Sequence, residues 1–107
     1  MNIRLGISKY DPISHYFIGP KGKKRVSPSK ERCLMCLIAH RNKTIPYETI
    51  GKAVWGNTKL KIERLQVLIC GLKRILRDDP SLDIDNKRNY GYGLKDARVK
   101  ITGRLKY

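Results

Sequence analysis

One stretch limits the folds open to this chain more than any other: residues 60–77, LKIERLQVLICGLKRILR. Leu65, Leu68, Ile69, Leu72, Ile75 and Leu76 recur at the three- and four-residue spacings of a single apolar helix stripe. The opposite side carries Glu63, Gln66, Val67, Cys70, Arg74 and Arg77, which mixes cations with an amide and small apolar groups. Two readings are open. One is a solvated amphipathic helix with scattered charge; the other is a recognition helix, buried on one side and reading a nucleic-acid groove with the other.

Charge favours the second. The chain has 107 residues, with 24 Lys and Arg against 9 Asp and Glu, a formal net charge of +15 at pH 7. Self-repulsion at that charge opposes the compact state, so a polyanionic partner is expected. Nucleic acid, an anionic membrane surface and an acidic protein all meet that description. The length suits one domain, and 40% hydrophobic residues suffice for one modest core. No apolar run approaches the roughly 18 residues of a spanning helix, and the N-terminus MNIRLGISKY lacks the apolar region of a signal peptide. The chain is therefore expected to be soluble and intracellular, or a soluble piece cut from a longer protein. Cys33, Cys36 and Cys70 are odd in number and fall in predicted helices, unlike a secreted disulfide framework.

Residues 1–26 read as short strands forming a small antiparallel sheet. Ile3, Leu5 and Ile7 alternate with polar neighbours, Asp11-Pro12 marks a turn, His15 to Ile18 forms a strand, and Gly19 to Gly22 leads into a return strand ending near Val26. Lys21, Lys23, Lys24 and Arg25 at this hairpin read as a solvated turn, with phosphate contact as the alternative. Ser27-Pro28 opens a helix, serine as N-cap and proline in the first turn. Leu34, Leu37 and Ile38 form its buried stripe as far as about Arg41, and Asn42 can end it in a left-handed conformation. A second helix spans Pro46 to Ala53, with Glu48 complementing its dipole and Ile50, Ala53 and Val54 apolar. Gly51 weakens it by roughly 1 kcal/mol or permits close packing. Trp55 reads as a core anchor, and Asn57 or Thr58 caps the long helix. Asp78-Asp79-Pro80 stops that helix. Leu82 and Ile84 then alternate with acids in a strand, Asn86 to Gly91 turns, and Tyr92 to Leu94 returns, which is the layout of a wing. Residues 95–107 alternate again (Val99, Ile101, Leu105) and form a basic tail with Lys95, Arg98, Lys100, Arg104 and Lys106.

On these segments the chain resembles the OmpR/ToxR-type winged helix-turn-helix DNA-binding domain of bacterial transcription regulators. Val26-Ser27-Pro28 is similar to that family's Leu-Thr-Pro helix opening, and Glu48 through Ala53-Val54-Trp55-Gly56 to its Glu-x-Leu-x-x-x-Val-Trp-Gly segment. Val67, Ile69, Leu72, Leu76 and Asp78-Asp79-Pro80 match its recognition helix and terminator, and Arg88 through Leu94 its wing. The resemblance covers about residues 3–94, and implies an α+β fold: an N-terminal sheet (1–26), a three-helix core (27–77) and a hairpin wing (82–94), followed by the tail 95–107. It also implies a site. Gln66, Val67, Cys70, Gly71, Lys73 and Arg74 stand at positions that face the major groove, and Arg88 at the position that enters the minor groove. Most of these were already on the outer side derived from periodicity. Arg77 and Lys87 are expected to add DNA contacts, and Arg41, Lys43 and the Lys and Arg residues of the sheet hairpin and the tail to neutralise phosphate. Cys70, Gly71 and Leu68 hold positions that the family often fills with Arg, Ser or His, and Asn89 replaces a wing glycine that asparagine can match in the left-handed region. With Gln66 suited to adenine, Val67 to a thymine methyl and Arg88 to a narrow minor groove, the expected site leans to A/T.

Enzymatic chemistry finds no footing. His15 and His40 are the only histidines, and neither a Ser/His/Asp order nor a glycine-rich phosphate loop is present. Cys33, Cys36 and His40 offer three zinc ligands where structural zinc takes four, so no metal and no cofactor is expected, nor any small-molecule ligand. The expected function is sequence-specific double-stranded DNA binding in transcription regulation. The alternatives are a non-specific architectural DNA- or RNA-binding module, and a protein-interaction winged helix. The resemblance further implies contact with RNA polymerase through residues 56–61 and a homodimer on tandem half-sites about one helical turn apart.

Overall fold

The computed structural model describes residues 2–56 and 59–97. Four short strands open the chain: β1 (Ile3–Leu5), β2 (Ser8–Asp11), β3 (Tyr16–Gly19) and β4 (Gly22–Arg25), paired antiparallel in sequence order. The single strand expected through Ile3, Leu5 and Ile7 is instead two. The chain reverses at Gly6, whose φ of +59° is left-handed, and places Leu5 opposite Ser8. Ile7 therefore points outward, 55% exposed, while Leu5, Tyr10 and Phe17 enter the core. Only glycine serves at position 6, because a Cβ there would run into Ser81, Asp79 and Leu82 as well as straining the backbone.

Three helices follow: α1 (Pro28–Ala39), α2 (Tyr47–Trp55) and α3 (Ile62–Leu76). α1 starts at Pro28 as expected, but the Ser27 hydroxyl makes no capping hydrogen bond. The helix gives way at Ala39 to tighter turns, with His40 N–H donating to Leu37 O and Arg41 N–H to Ile38 O, before Asn42 turns left-handed at φ 63°. In α2, Pro46 remains extended and the helix starts one residue later. Ile50, Gly51 and Val54 are its buried positions, whereas Ala53, expected to be apolar core, is exposed. Gly51 faces Leu60, which a Cβ would approach to 2.7 Å, so the glycine permits close packing of the chain leading into α3. The cap proposed at Asn57 or Thr58 lies outside the described residues.

The last strands, β6 (Leu82–Lys87) and β7 (Gly91–Asp96), form the hairpin. It gains a third strand that the sequence did not announce. β5 (Ile45–Pro46) pairs with β7 in the order β5-β7-β6, Ile45 opposite Tyr92 and Pro46 opposite Gly91. The close crossing depends on glycine, since a Cβ on Gly91 would collide with the Ile45 carbonyl. β7 runs to Asp96, two residues past the expected end of the wing; residues 98–107, including the alternation of Val99, Ile101 and Leu105, lie outside the described residues.

One core joins these parts, drawn from the first sheet (Leu5, Tyr10, Phe17), the helices and the hairpin (Leu82, Ile84, Leu94). Two buried carboxylates fasten the ends of the chain across it. Asp79 accepts hydrogen bonds from the Ile7 amide (2.9 Å), the Ser81 amide (2.9 Å) and the hydroxyls of Ser8 and Ser81. Asp96 accepts from the Gly6 amide at 2.9 Å and pairs with Arg41. Burial opposes the charge on Asp79, but the bonds from Ser8, Ser81 and Ile7 outweigh it and hold its pKa below the usual carboxylate range. Asp79, read from sequence as a helix stop, thus also anchors the N-terminal sheet to the end of α3.

Candidate nucleic-acid interface

α3 divides cleanly. Leu65, Leu68, Ile69, Leu72, Ile75 and Leu76 are all buried against the rest of the fold. Gln66, Val67, Cys70, Lys73, Arg74 and Arg77 are exposed, and Val67 is 73% open to solvent. A valine left that open is an apolar surface available to a partner. The division follows from the heptad-like spacing: at about 100° per residue, the buried six span one side and the exposed residues centre on the other.

Both ends of this rod are tied down. Near its C-terminus the Lys24 ammonium, from β4, lies 2.9 Å from the Asp78 carboxylate and donates to Arg74 O at 3.2 Å. A cation there also complements the helix dipole. Of the hairpin cations expected as a solvated turn, Lys24 is therefore engaged, while Lys21, Lys23 and Arg25 are exposed. Near the N-terminus the Arg64 guanidinium stacks 5.1 Å from the centre of the Trp55 ring. Trp55 is half-buried, packed on the core with one face and covered by Arg64 on the other.

The wing is held at its root. Tyr47 donates its amide to Tyr90 O at 2.9 Å and its hydroxyl to Asn86 Oδ1 at 3.0 Å, and its ring packs 5.4 Å from that of Tyr92. The start of α2 and the wing are thus joined directly. At the tip Asn89 takes the left-handed conformation, φ 61°, and Lys87, Arg88 and Tyr90 are exposed, with the Lys87 ammonium 5.5 Å from the Tyr90 ring centre.

Two of the expected contact residues stand differently from the rest. The Arg41 guanidinium pairs with Asp96 at 3.4 Å, its side chain only 24% exposed, so it neutralises a buried carboxylate of its own chain. Lys43, two residues on, is exposed. Gly71 is half-buried because the Lys30 side chain, from α1, lies over it: a Cβ at position 71 would sit 2.6 Å from Lys30 Cε and 3.2 Å from its Nζ. Nothing in the spacing of α1 singles out Lys30. The signal was the glycine in the middle of α3, which leaves room for a neighbour.

Cys33 is buried, and burial, with Cys36 beside it, pushes its thiol pKa up to about 12. Burial raises that of Cys36 too, and His40 Nδ1 lies 3.2 Å from the Cys36 carbonyl oxygen. Both thiols thus favour the protonated form. Among the described residues no group of three or more His, Cys, Asp or Glu is placed to hold a metal ion. Likewise, no helix among them is long and apolar enough to cross a membrane.

Residues 22–94 match the family model described as "Transcriptional regulatory protein, C terminal". No curated protein matches the chain in sequence. Solved structures share its fold at low identity. The Klebsiella pneumoniae RstA DNA-binding domain, solved in complex with the RstA box, is 21% identical with a TM-score of 0.73, covering 88% of this chain and 96% of that one. The DNA-binding domain of Escherichia coli CadC gives 17% and 0.76, over 87% and 90% of the two chains. That of Bacillus subtilis CssR gives 19% and 0.65, over 81% and 98%.

Proposed function

The chain belongs to the family of transcriptional regulatory protein C-terminal domains, the OmpR/ToxR-type winged helix-turn-helix, and from that premise we propose that it binds double-stranded DNA sequence-specifically and regulates transcription. The observation that carries the reading is the bare side of α3: Gln66, Val67, Cys70, Lys73 and Arg74 share one exposed surface on a helix whose other side is wholly buried. In this reading α3 enters the major groove with Gln66, Val67 and Cys70 toward base edges. Lys73, Arg74, Arg77, Lys43 and Lys87 neutralise phosphates, and Arg88 at the wing tip enters the adjacent minor groove. Arg41 leaves the contact set, being held by Asp96.

The complex has the fold's charge behind it. A net charge of +15 draws a polyanion from a distance, while the few specific side chains on α3 choose the sequence. Binding on tandem half-sites as a homodimer, and contact with RNA polymerase beside the α2–α3 connection, accompany this reading as proposals. Selection of bound duplexes from a random pool tests it, with affinity of the winner measured against salt. An enriched motif that outcompetes random duplex at equal salt is the expected result. Equal competition by random duplex or by structured RNA would instead assign the chain to non-specific architectural binding.

A further inference from the structure

Lys30 is an ammonium without an evident reason to be where it is. It stands in the first turn of α1, where a positive charge opposes the helix dipole. Its side chain is half-buried, and it lies across α3 at Gly71, with Nζ close over the backbone. Among the described residues no carboxylate lies within ion-pairing distance of it. Glu63 lines the same shallow groove, with Trp55, Arg64 and Val67, yet forms no salt bridge with it. In a chain of charge +15, an unpaired lysine laid over a neighbouring helix is repelled by its surroundings. What the placement achieves is geometric. Gly71 follows Val67 by one helical turn, about 40° round the axis, on the flank of the exposed side. A side chain at 71 would block that flank; its absence lets the stem of Lys30 pack there while the ammonium stays at the surface.

We propose that Lys30 is a DNA-contacting residue contributed by α1 to the surface of α3, supplying at the Gly71 flank a cation for a backbone phosphate of the bound duplex. This rests on the DNA-binding reading above. Lysine suits the task, since its ammonium is a compact point charge on a flexible stem, matched to a phosphate rather than to a planar base edge. The missing anion is then external, and the complex supplies it.

The test is the salt dependence of affinity for the selected duplex, measured for the whole chain. Lys30→Met keeps the packed stem and removes the charge, and Lys30→Gln serves as a second neutral variant. Each should flatten the slope of log affinity against log salt by about 0.9, so that the ratio of wild-type to variant affinity changes about eightfold per decade of salt. Lys30→Arg should retain the wild-type slope. Lys9→Met, which removes one charge from the exposed surface of β2, controls for net charge alone. A wild-type slope in both neutral variants, or an equal flattening by Lys9→Met, overturns the assignment while leaving DNA binding intact. A wild-type protein that binds no duplex overturns both, and is read separately because no substitution is involved.

Discussion

Arg41 and Lys73 make a pair of substitutions whose effects should separate completely. Both are cations in the region assigned to DNA, but Lys73 is exposed on α3 whereas Arg41 neutralises the buried Asp96 at 3.4 Å. Without Arg41, and with Arg88 in the minor groove, the cations assigned to phosphate are Lys30, Lys43, Lys73, Arg74, Arg77 and Lys87. If all six meet phosphate, the slope of log affinity against log salt is about −5.4, since each neutralised phosphate contributes about −0.9. Between 50 and 200 mM salt that is a loss of about two-thousandfold. Lys73→Ala should flatten the slope by about 0.9, bringing the loss to about five-hundredfold. Arg41→Met should leave the slope as it is and destabilise the fold by about 1–3 kcal/mol, because it removes a charged hydrogen-bond partner from a buried carboxylate. Fluorescence anisotropy over a salt series and urea unfolding read the two quantities. An Arg41→Met slope flattened as much as that of Lys73→Ala, with unfolding unchanged, would refute the division of labour drawn from the structure.

Other substitutions address the frame and the specificity. Asp79→Asn leaves one pair of donors, an amide with a hydroxyl, facing an NH2 group in place of a carboxylate oxygen, at a cost of about 2–4 kcal/mol in urea unfolding. The pKa of Asp79 is lowered in the folded state, so its contribution is complete above the unfolded value of about 4 and is lost as pH falls through the folded one. Stability of the wild type should therefore drop below about pH 4, and Asp79→Asn should show a shallower acid limb in thermal unfolding followed by circular dichroism. Gly71→Ala should raise helix stability by up to about 1 kcal/mol, since the nearest atoms a Cβ would meet belong to the flexible end of Lys30. Arg88→Ala should weaken binding by about 1–3 kcal/mol and relax the preference for A/T at the wing; a GC-rich selected motif would contradict that preference.

Of the first sheet, sequence announced the strands but misplaced one reversal. Alternation of Ile3, Leu5 and Ile7 is compatible with a single strand, and only the seat of Gly6 against Ser81 and Asp79 decides otherwise. β5 escaped for a related reason. Two residues have no periodicity, and Ile45–Pro46 becomes a strand only because β7 lies alongside. Trp55 was placed in the core and is half there, its outer face under Arg64.

The sequence by itself determined which side of α3 is bare. Helical side-chain direction is a local property, and residues three and four apart share a side wherever the helix is put. It likewise announced the turn at Asn89, a residue type that tolerates the left-handed conformation found there. Tertiary structure alone decided which cations are free to meet a partner. Lys24 is taken by Asp78, fifty-odd residues away, Arg41 by Asp96, and Lys30 is delivered to Gly71 from another helix. A charge is written in the sequence, but its neighbours are set by long-range packing, and whether it is neutralised depends on them.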